Sequence, residues 1–286
     1  MNFRAGEILY IDKPYRWTSF DVVNKVRWQL CRRLGTKKLK VGHAGTLDPL
    51  ATGVMIVCTG RATKRIDELQ AHTKEYVATL RLGATTPSFD LEHPIDAYYP
   101  TEHITREQVE RVLQTFLGRI EQIPPSYSAV KVDGKRAYDL ARKEKEVELK
   151  PKVLVIDEIE LIDTNLTPGP SPKGEGGSEG QLTFTEQTII PRTGMRNKAF
   201  LHSPATPTDT EAYPSITIRV VCSKGTYIRA LARDIGQALG SGAHLTALRR
   251  TRVGDVRVED CMTMDAFPTW LEQQTIEDDE MNNNNK

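Results

Sequence analysis

Apolar positions recur along this chain with two periods, and the switches between them outline its elements. Period two marks a strand with one buried face. In residues 74–83, KEYVATLRLG, it sets Tyr76, Ala78, Leu80 and Leu82 on one side. Residues 7–12, 153–163 and 215–223 also predict strands, and 54–57 (VMIV) has the β-branched content of a buried one. Steps of three and four mark helices. Phe20, Val23, Val26, Leu30 and Leu34 share one helical face, which Thr18 or Ser19 can cap and Gly35 can end. Val109, Val112, Leu113 and Phe116 stripe a helix over 105–118, opened by a Thr105–Gln108 capping box. Ile228, Leu231, Ile235 and Leu239 predict a third helix from Tyr227, with Gly240 after it. Residues 256–258 predict a short strand and 263–273 a last helix.

The pattern lapses over 164–214, which is rich in Gly, Pro, Ser and Thr. Such a stretch buries too little apolar surface to fold alone, so it reads as a low-complexity insertion between adjacent strands, with short local pairings possible at 182–184 and 188–190. The last ten residues are expected to be disordered. A hydrophobic content of 38% over 286 residues suits one sizeable domain with a small appendage. The net charge of +1 hides an asymmetry. Residues 1–65 hold 13 Lys and Arg against 4 Asp and Glu, net +9, whereas 255–286 hold 2 against 9, net −7. A basic half with an acidic tail fits a polyanionic partner as well as a solvated surface. Cys31, Cys58, Cys222 and Cys261 form no C-x-x-C and no zinc spacing, which fits a reducing cytosol. With no signal-peptide pattern and no apolar run near the ~18 residues that span a bilayer, a soluble, cytoplasmic protein is expected.

Candidate chemistry gathers in 42–64, GHAGTLDPLATGVMIVCTGRATK. Asp48 is the lone acid between Asp21 and Asp67, on a loop feeding the predicted strand at 54–57. Pro49 restricts Asp48 to extended backbone, and Gly53 permits a positive φ or a close approach. An Asp-Pro pair by itself usually starts a turn. Basic surroundings, however, favour the charged carboxylate, and a carboxylate can act as a nucleophile.

The segment GHAGTLDPLATGV closely resembles the catalytic motif of the TruB-type tRNA pseudouridine-55 synthases, and Asp48 matches its catalytic Asp. Further segments over 5–163 and 215–255 resemble that family. Lys13 and Pro14 match its K-P-x-G-x-T-S opening, with Arg16 in place of Gly; Lys13 reads as structural or phosphate-facing. Tyr76 matches a tyrosine that stacks on the target base. Asp90 matches the second Asp of a T-D-T-x-D-x-x-G loop, in which Pro87 here replaces the first Asp and His93 or Pro94 the Gly. Residues 124–152 resemble a thumb that closes on the RNA. CSKGTYIRALARDIG resembles the second signature and supplies Tyr227 and Arg229, and Leu248 matches an apolar residue packing near the base.

What the resemblance implies is an α+β pseudouridine synthase fold, a mixed, largely antiparallel sheet with flanking helices and a central RNA-binding cleft. Residues 1–255 would form the catalytic domain and 256–286 a short extension; many members carry a C-terminal PUA domain, which the 36 residues after Arg250 are too few to form. Asp48, Tyr76 and Arg229 would be catalytic, with Arg229 paired to Asp48. His43, Lys64, Asp90, Tyr227, Leu248, Lys131 and Arg142 would contact substrate. The reaction would isomerise a uridine of the tRNA T-arm, with no cofactor or metal, no protein partner and no membrane, in a monomer. Whether Asp48 attacks C1′, attacks the ring or assists glycal formation stays open. Two other classes are a noncatalytic RNA-binding or remodelling module and a guide-RNA-dependent synthase.

Overall fold

The computed structural model describes residues 1–128, 149–166 and 213–277, and the backbone alone of 131–132 and 135–136. In chain order the elements are β1 (Ile8–Lys13), α1 (Ser19–Arg33), β2 (Val41–His43), β3 (Ala51–Thr59), a 3-10 turn (Gly60–Arg65), α2 (Ile66–Ala71) and β4 (Lys74–Leu82). Then come β5 (Ala84–Thr85), β6 (Ala97–Tyr98), α3 (Arg106–Gln114), β7 (Gly118–Gln122), β8 (Lys131–Val132), β9 (Lys135–Arg136) and β10 (Lys152–Asn165). The C-terminal part adds β11 (Ser215–Cys222), α4 (Ile228–Ala238), β12 (Ala243–Val253), β13 (Val256–Arg257), β14 (Met262–Thr263) and α5 (Phe267–Glu272).

One ten-stranded sheet organises the fold, in the order β14-β1-β3-β12-β4-β11-β10-β7, with β2 and β13 paired at its side. Only β1–β14 and β3–β12 run parallel; the other pairs are antiparallel. This is the mixed, largely antiparallel α+β sheet that the resemblance implied. β4 alternates buried and half-buried residues from end to end, with Tyr76, Ala78, Leu80 and Leu82 inside. That face packs with α3 and α4 in one core, while α1 and α5 close a second core over β1 and β3. Thr18 caps α1 and Thr105 caps α3, each through a full capping box. Gly35 at φ +61 and Gly240 at φ +68 follow α1 and α4.

Several elements differ from expectation. α3 stops at Gln114, Thr115 Oγ1 donates to the Val112 carbonyl, and Gly118 at φ +83 turns the chain into β7, which the helical stripe had masked. β3 extends five further residues beyond the predicted core, and β10 runs on to Asn165. The last helix begins only at Phe267: Thr263 pairs in β14 and accepts the Ala266 N–H, so Pro268 falls in the first helical turn, where its missing N–H costs nothing. β12 was not anticipated, because Arg249, Arg250 and Arg252 interrupt its apolar alternation. The possible pairings at 182–184 and 188–190 and the tail from 278 onward lie outside the described residues.

β3 and β12 approach closely at Gly53, which pairs in register with Arg250. Gly53 has φ +105, and a Cβ there would stand 2.1 Å from the Arg250 carbonyl oxygen. Gly53→Ala is therefore expected to lower unfolding free energy by more than about 3 kcal/mol, read from the denaturant midpoint, since backbone strain and a backbone clash add.

Candidate active site

Asp48 lies in the loop between β2 and β3, which is held mainly through its own carbonyl oxygens. Ser19, first residue of α1, clips Leu47 twice: its hydroxyl accepts the Leu47 N–H at 2.8 Å and donates to the Leu47 carbonyl at 3.0 Å. Lys13 is fully buried, and its ammonium donates to the carbonyls of Pro14, Trp17 and Pro49. Arg250, 1% exposed, donates from Nε to the Val54 carbonyl at 2.7 Å and from Nη2 to the Gly45 carbonyl at 3.1 Å. Two buried cations thus brace the loop, one on each side of Asp48. Arg16 adopts φ +65 where the resembled opening has Gly, and its N–H reaches the Pro49 carbonyl at 2.9 Å.

The carboxylate itself meets Arg229 of α4. Nε lies 2.8 Å from Oδ2, and Nη2 donates to Oδ1 at 3.2 Å. The Asp48 side chain is 36% exposed and that of Arg229 only 6%. Arg229 is oriented by the carbonyls of Ser88, at 3.2 Å, and Tyr127, at 2.9 Å. The buried Asp90 carboxylate is 3.7 Å from its Nε. One guanidinium therefore serves two carboxylates, one exposed and one enclosed. Asp48, Asp90 and Arg229 line a narrow cleft whose apolar wall includes Leu50, Leu91 and Leu248.

The other predicted site residues are spread around this centre. Tyr76 is 8% exposed on β4, opposite Arg250 in register. Burial pushes its ionisation upward, against the pull of Arg250. Tyr227 caps the start of α4 half-buried; burial raises it too, with the Ser128 hydroxyl acting in the opposite sense. His43 ends β2, and burial, then the Arg250 charge, lowers its pKa, which favours the neutral ring. Lys64 is exposed on the 3-10 turn, away from the cleft walls. Lys131 falls in β8, whose side chains are not described, and Arg142 lies outside the described residues. In the loop carrying Asp90, Phe89 takes φ +60, and His93, a departure from the resembled pattern, packs on the Tyr127 ring at 4.5 Å.

Arg250 and Ser19 escaped the sequence reading. The signal for Arg250 was the adjacent pair Arg249–Arg250 in a run that continues LTAL: in a strand, one of two neighbours must face inward.

The family model described as TruB family pseudouridylate synthase (N terminal domain) matches residues 32–169, and that described as tRNA pseudouridylate synthase B C-terminal domain matches 229–283. A protein of Phocaeicola vulgatus named tRNA pseudouridine synthase B is 63% identical over 97% of this chain and 98% of its own length. The chain belongs to the TruB family of pseudouridylate synthases. A member so named from Thermus thermophilus is 41% identical over 89% of this chain and 75% of its own length. Among solved structures, a Cbf5-Nop10-Gar1 complex matches the fold with a TM-score of 0.58 at 24% identity, over 95% of this chain. The chain spans 56% of that neighbour's length.

Lys13 gives this TruB-family site a pH signature. Burial lowers its pKa from 10.5 to about 8, against the raising effect of Asp48, and burial likewise brings Lys74 to about 8. Between about pH 8 and 10.5 the unfolded chain then binds more protons than the folded one, so both lysines make stability rise with pH there. Above about pH 9 the thiols of Cys58 and Cys222, raised to about 11 by burial, oppose this. From pH 8 to 9 the denaturant midpoint is expected to rise. Turnover is expected to fall over the same window, because a neutral Lys13 has one N–H too few for its three carbonyls. A flat rate across that window would detach Lys13 from the geometry of the loop.

Proposed function

We propose that the protein isomerises the uridine at position 55 in the T-loop of tRNA to pseudouridine, with Asp48 as the catalytic carboxylate. The observation that carries this reading is the exposed Asp48 carboxylate gripped by a buried guanidinium at the floor of an apolar-walled cleft. The relatives named tRNA pseudouridine synthase B, alike over nearly the whole chain, supply the substrate class. The reaction breaks the bond from ribose C1′ to N1 and makes one from C1′ to C5. C5 gives up its proton and N1 gains one, so atoms and electrons balance without a redox partner or an energy source. A base in a folded loop must be flipped out before a side chain can reach it. Leu248 offers the extruded ring an apolar wall, Tyr76 is the candidate for stacking, and base–aromatic stacking contributes on the order of 1–3 kcal/mol. His43, Asp90 and Tyr227 border the same loops, and the exposed Lys64, with the basic residue types of the thumb-like segment such as Lys131 and Arg142, suits phosphates. The protein is proposed to act on the T-arm as a monomer, without a guide RNA.

Asp48→Asn separates catalysis from binding. The variant should fold, since Arg229 keeps Asp90 and two carbonyls as partners. Its single-turnover rate is expected to drop by at least about 10³-fold, while its Kd for unmodified tRNA stays within about threefold. Pseudouridine is mapped by carbodiimide-dependent reverse-transcription stops. A variant that keeps its rate, or a wild-type protein that leaves the T-loop uridine unchanged, would overturn the assignment.

A further inference from the structure

Next to the catalytic loop the chain builds a surface that the chemistry at Asp48 does not use. α1 buries Val22, Val23, Val26 and Leu30 but leaves Phe20 63% and Trp28 55% exposed, and Tyr15 just before it is 48% exposed. Cations stand beside two of these rings: Lys25 and Arg32 are 5.4 and 5.6 Å from the Trp28 ring centre, and Arg16 is 5.6 Å from that of Tyr15. Lys25, Trp28 and Arg32 are spaced by three and four residues and so share one face of the helix. Exposed Arg33, Lys37, Lys38 and Lys40 continue the charge, with no acid between Asp21 and Asp48. Asp21 itself is occupied by the Thr18 cap. An open recess of about 550 Å³ sits at the near end, lined by Arg16, Trp17, Asn24 and Lys25 together with the capped Asp21. The surface is continuous with the site, because Ser19 clips Leu47 and the Arg16 N–H holds Pro49. It extends from there along a helix of 15 residues, roughly 22 Å.

We propose that this face of α1 is a second RNA-binding surface, which takes the sugar-phosphate backbone of the substrate beyond the target loop. This rests on the RNA substrate argued above. Lys25, Arg32 and the basic run to Lys40 meet phosphates, while Trp28 and Tyr15 offer flat faces to ribose or base. Open aromatic rings interleaved with cations match a polyanion that carries planar groups. A protein partner fits less well, since the cores of protein interfaces are depleted in charge and in lysine.

Two variants test it, the double charge reversal Lys25→Glu with Arg32→Glu, and Trp28→Ala. All three side chains are exposed, so both variants should keep the wild-type melting temperature; Lys25→Gln with Arg32→Gln serves if the reversal disturbs folding. Each is assayed on full-length unmodified tRNA and on an isolated T-arm hairpin, across about 50–200 mM salt. On tRNA the charge reversal is expected to raise KM about tenfold with kcat within twofold. It should also flatten the salt dependence of log KM by about two, near one per lost phosphate contact. Trp28→Ala is expected to raise KM about fivefold with the slope unchanged. The hairpin, which lacks the tRNA backbone beyond the T-arm, should be affected much less by either variant than full-length tRNA. Unchanged KM and slope on tRNA would overturn the proposal and leave the face to another partner. So would an equal loss of kcat on tRNA and hairpin, which would mean that the residues act through the catalytic loop. If the wild-type protein formed no pseudouridine at all, the functional reading would fail separately, and tRNA Kd values for the same variants would still decide whether RNA binds here.

Discussion

The Asp48 carboxylate, proposed to react with a bulky substrate, is partly open to solvent and yet held in place, and this fold reconciles the two largely through backbone carbonyls. The loop bearing Asp48 anchors Ala44 and Leu47 in the core on either side of Gly45 and Thr46. The rest of its rigidity comes from Lys13, Arg250 and Ser19, which take its polar main-chain groups as their own partners. A buried cation without a carboxylate is unfavourable unless its donors are satisfied, and carbonyl oxygens do this at partial charge. The arrangement leaves the carboxylate of Asp48 free for Arg229 and the cleft. It also explains why loop, β1 and β12 must be placed together: the cations come from the two strands that flank β3.

Charge sets the second constraint. Arg229 is shared between Asp48 and Asp90, so the floor of the cleft carries more negative than positive charge while its substrate is a polyanion. Truncating Arg229 would leave two carboxylates facing each other with one of them enclosed, and breaking a buried pair in this way costs on the order of 3–5 kcal/mol. The basic first quarter of the chain, including α1 beside the loop, carries the opposite charge. In the proposed reading, affinity and reactivity then fall on adjacent but different surfaces.

Much of this was legible in the sequence, and the reasons are physical. β4 and α3 are amphipathic in the simple sense, so their periods named both the element and its buried face; for α1 the period named the helix, but its first turn buries Val22 and leaves Phe20, expected on the apolar face, 63% exposed. Asp48 stood out because it was alone among cations. Arg229 carried no such mark, since an arginine early in an amphipathic helix resembles a surface residue; it became visible only through likeness to a family. β12 stayed hidden for the opposite reason. It is central and buried, yet it holds arginines, because what it packs against at Arg250 is not side chain but carbonyl oxygen. Hydrophobic periodicity detects packing against apolar groups and is blind to a cation buried by hydrogen bonds. The same holds for β7, where Gly118 ends the helical stripe by conformation rather than by polarity.

Around Asp90 the chain departs from the resembled loop, and the substituted residue takes part in holding Arg229. Where the resembled loop has a glycine, His93 lies against Tyr127 at 4.5 Å, and the Tyr127 carbonyl is one of the groups that orient Arg229. The added ring contact thus supports the residue that supports Asp48, through three links that alternate between stacking, hydrogen bonding and charge. Phe89 at φ +60 is the local strain that accompanies this loop, of order 1–3 kcal/mol for such a conformation. Its N–H bonds the Thr86 carbonyl and its own carbonyl accepts from Leu245 on β12, so sheet and loop together hold the strained residue in place. Arg16 follows the same logic on the other side of Asp48: a glycine conformation is kept without glycine because the Pro49 carbonyl takes its N–H.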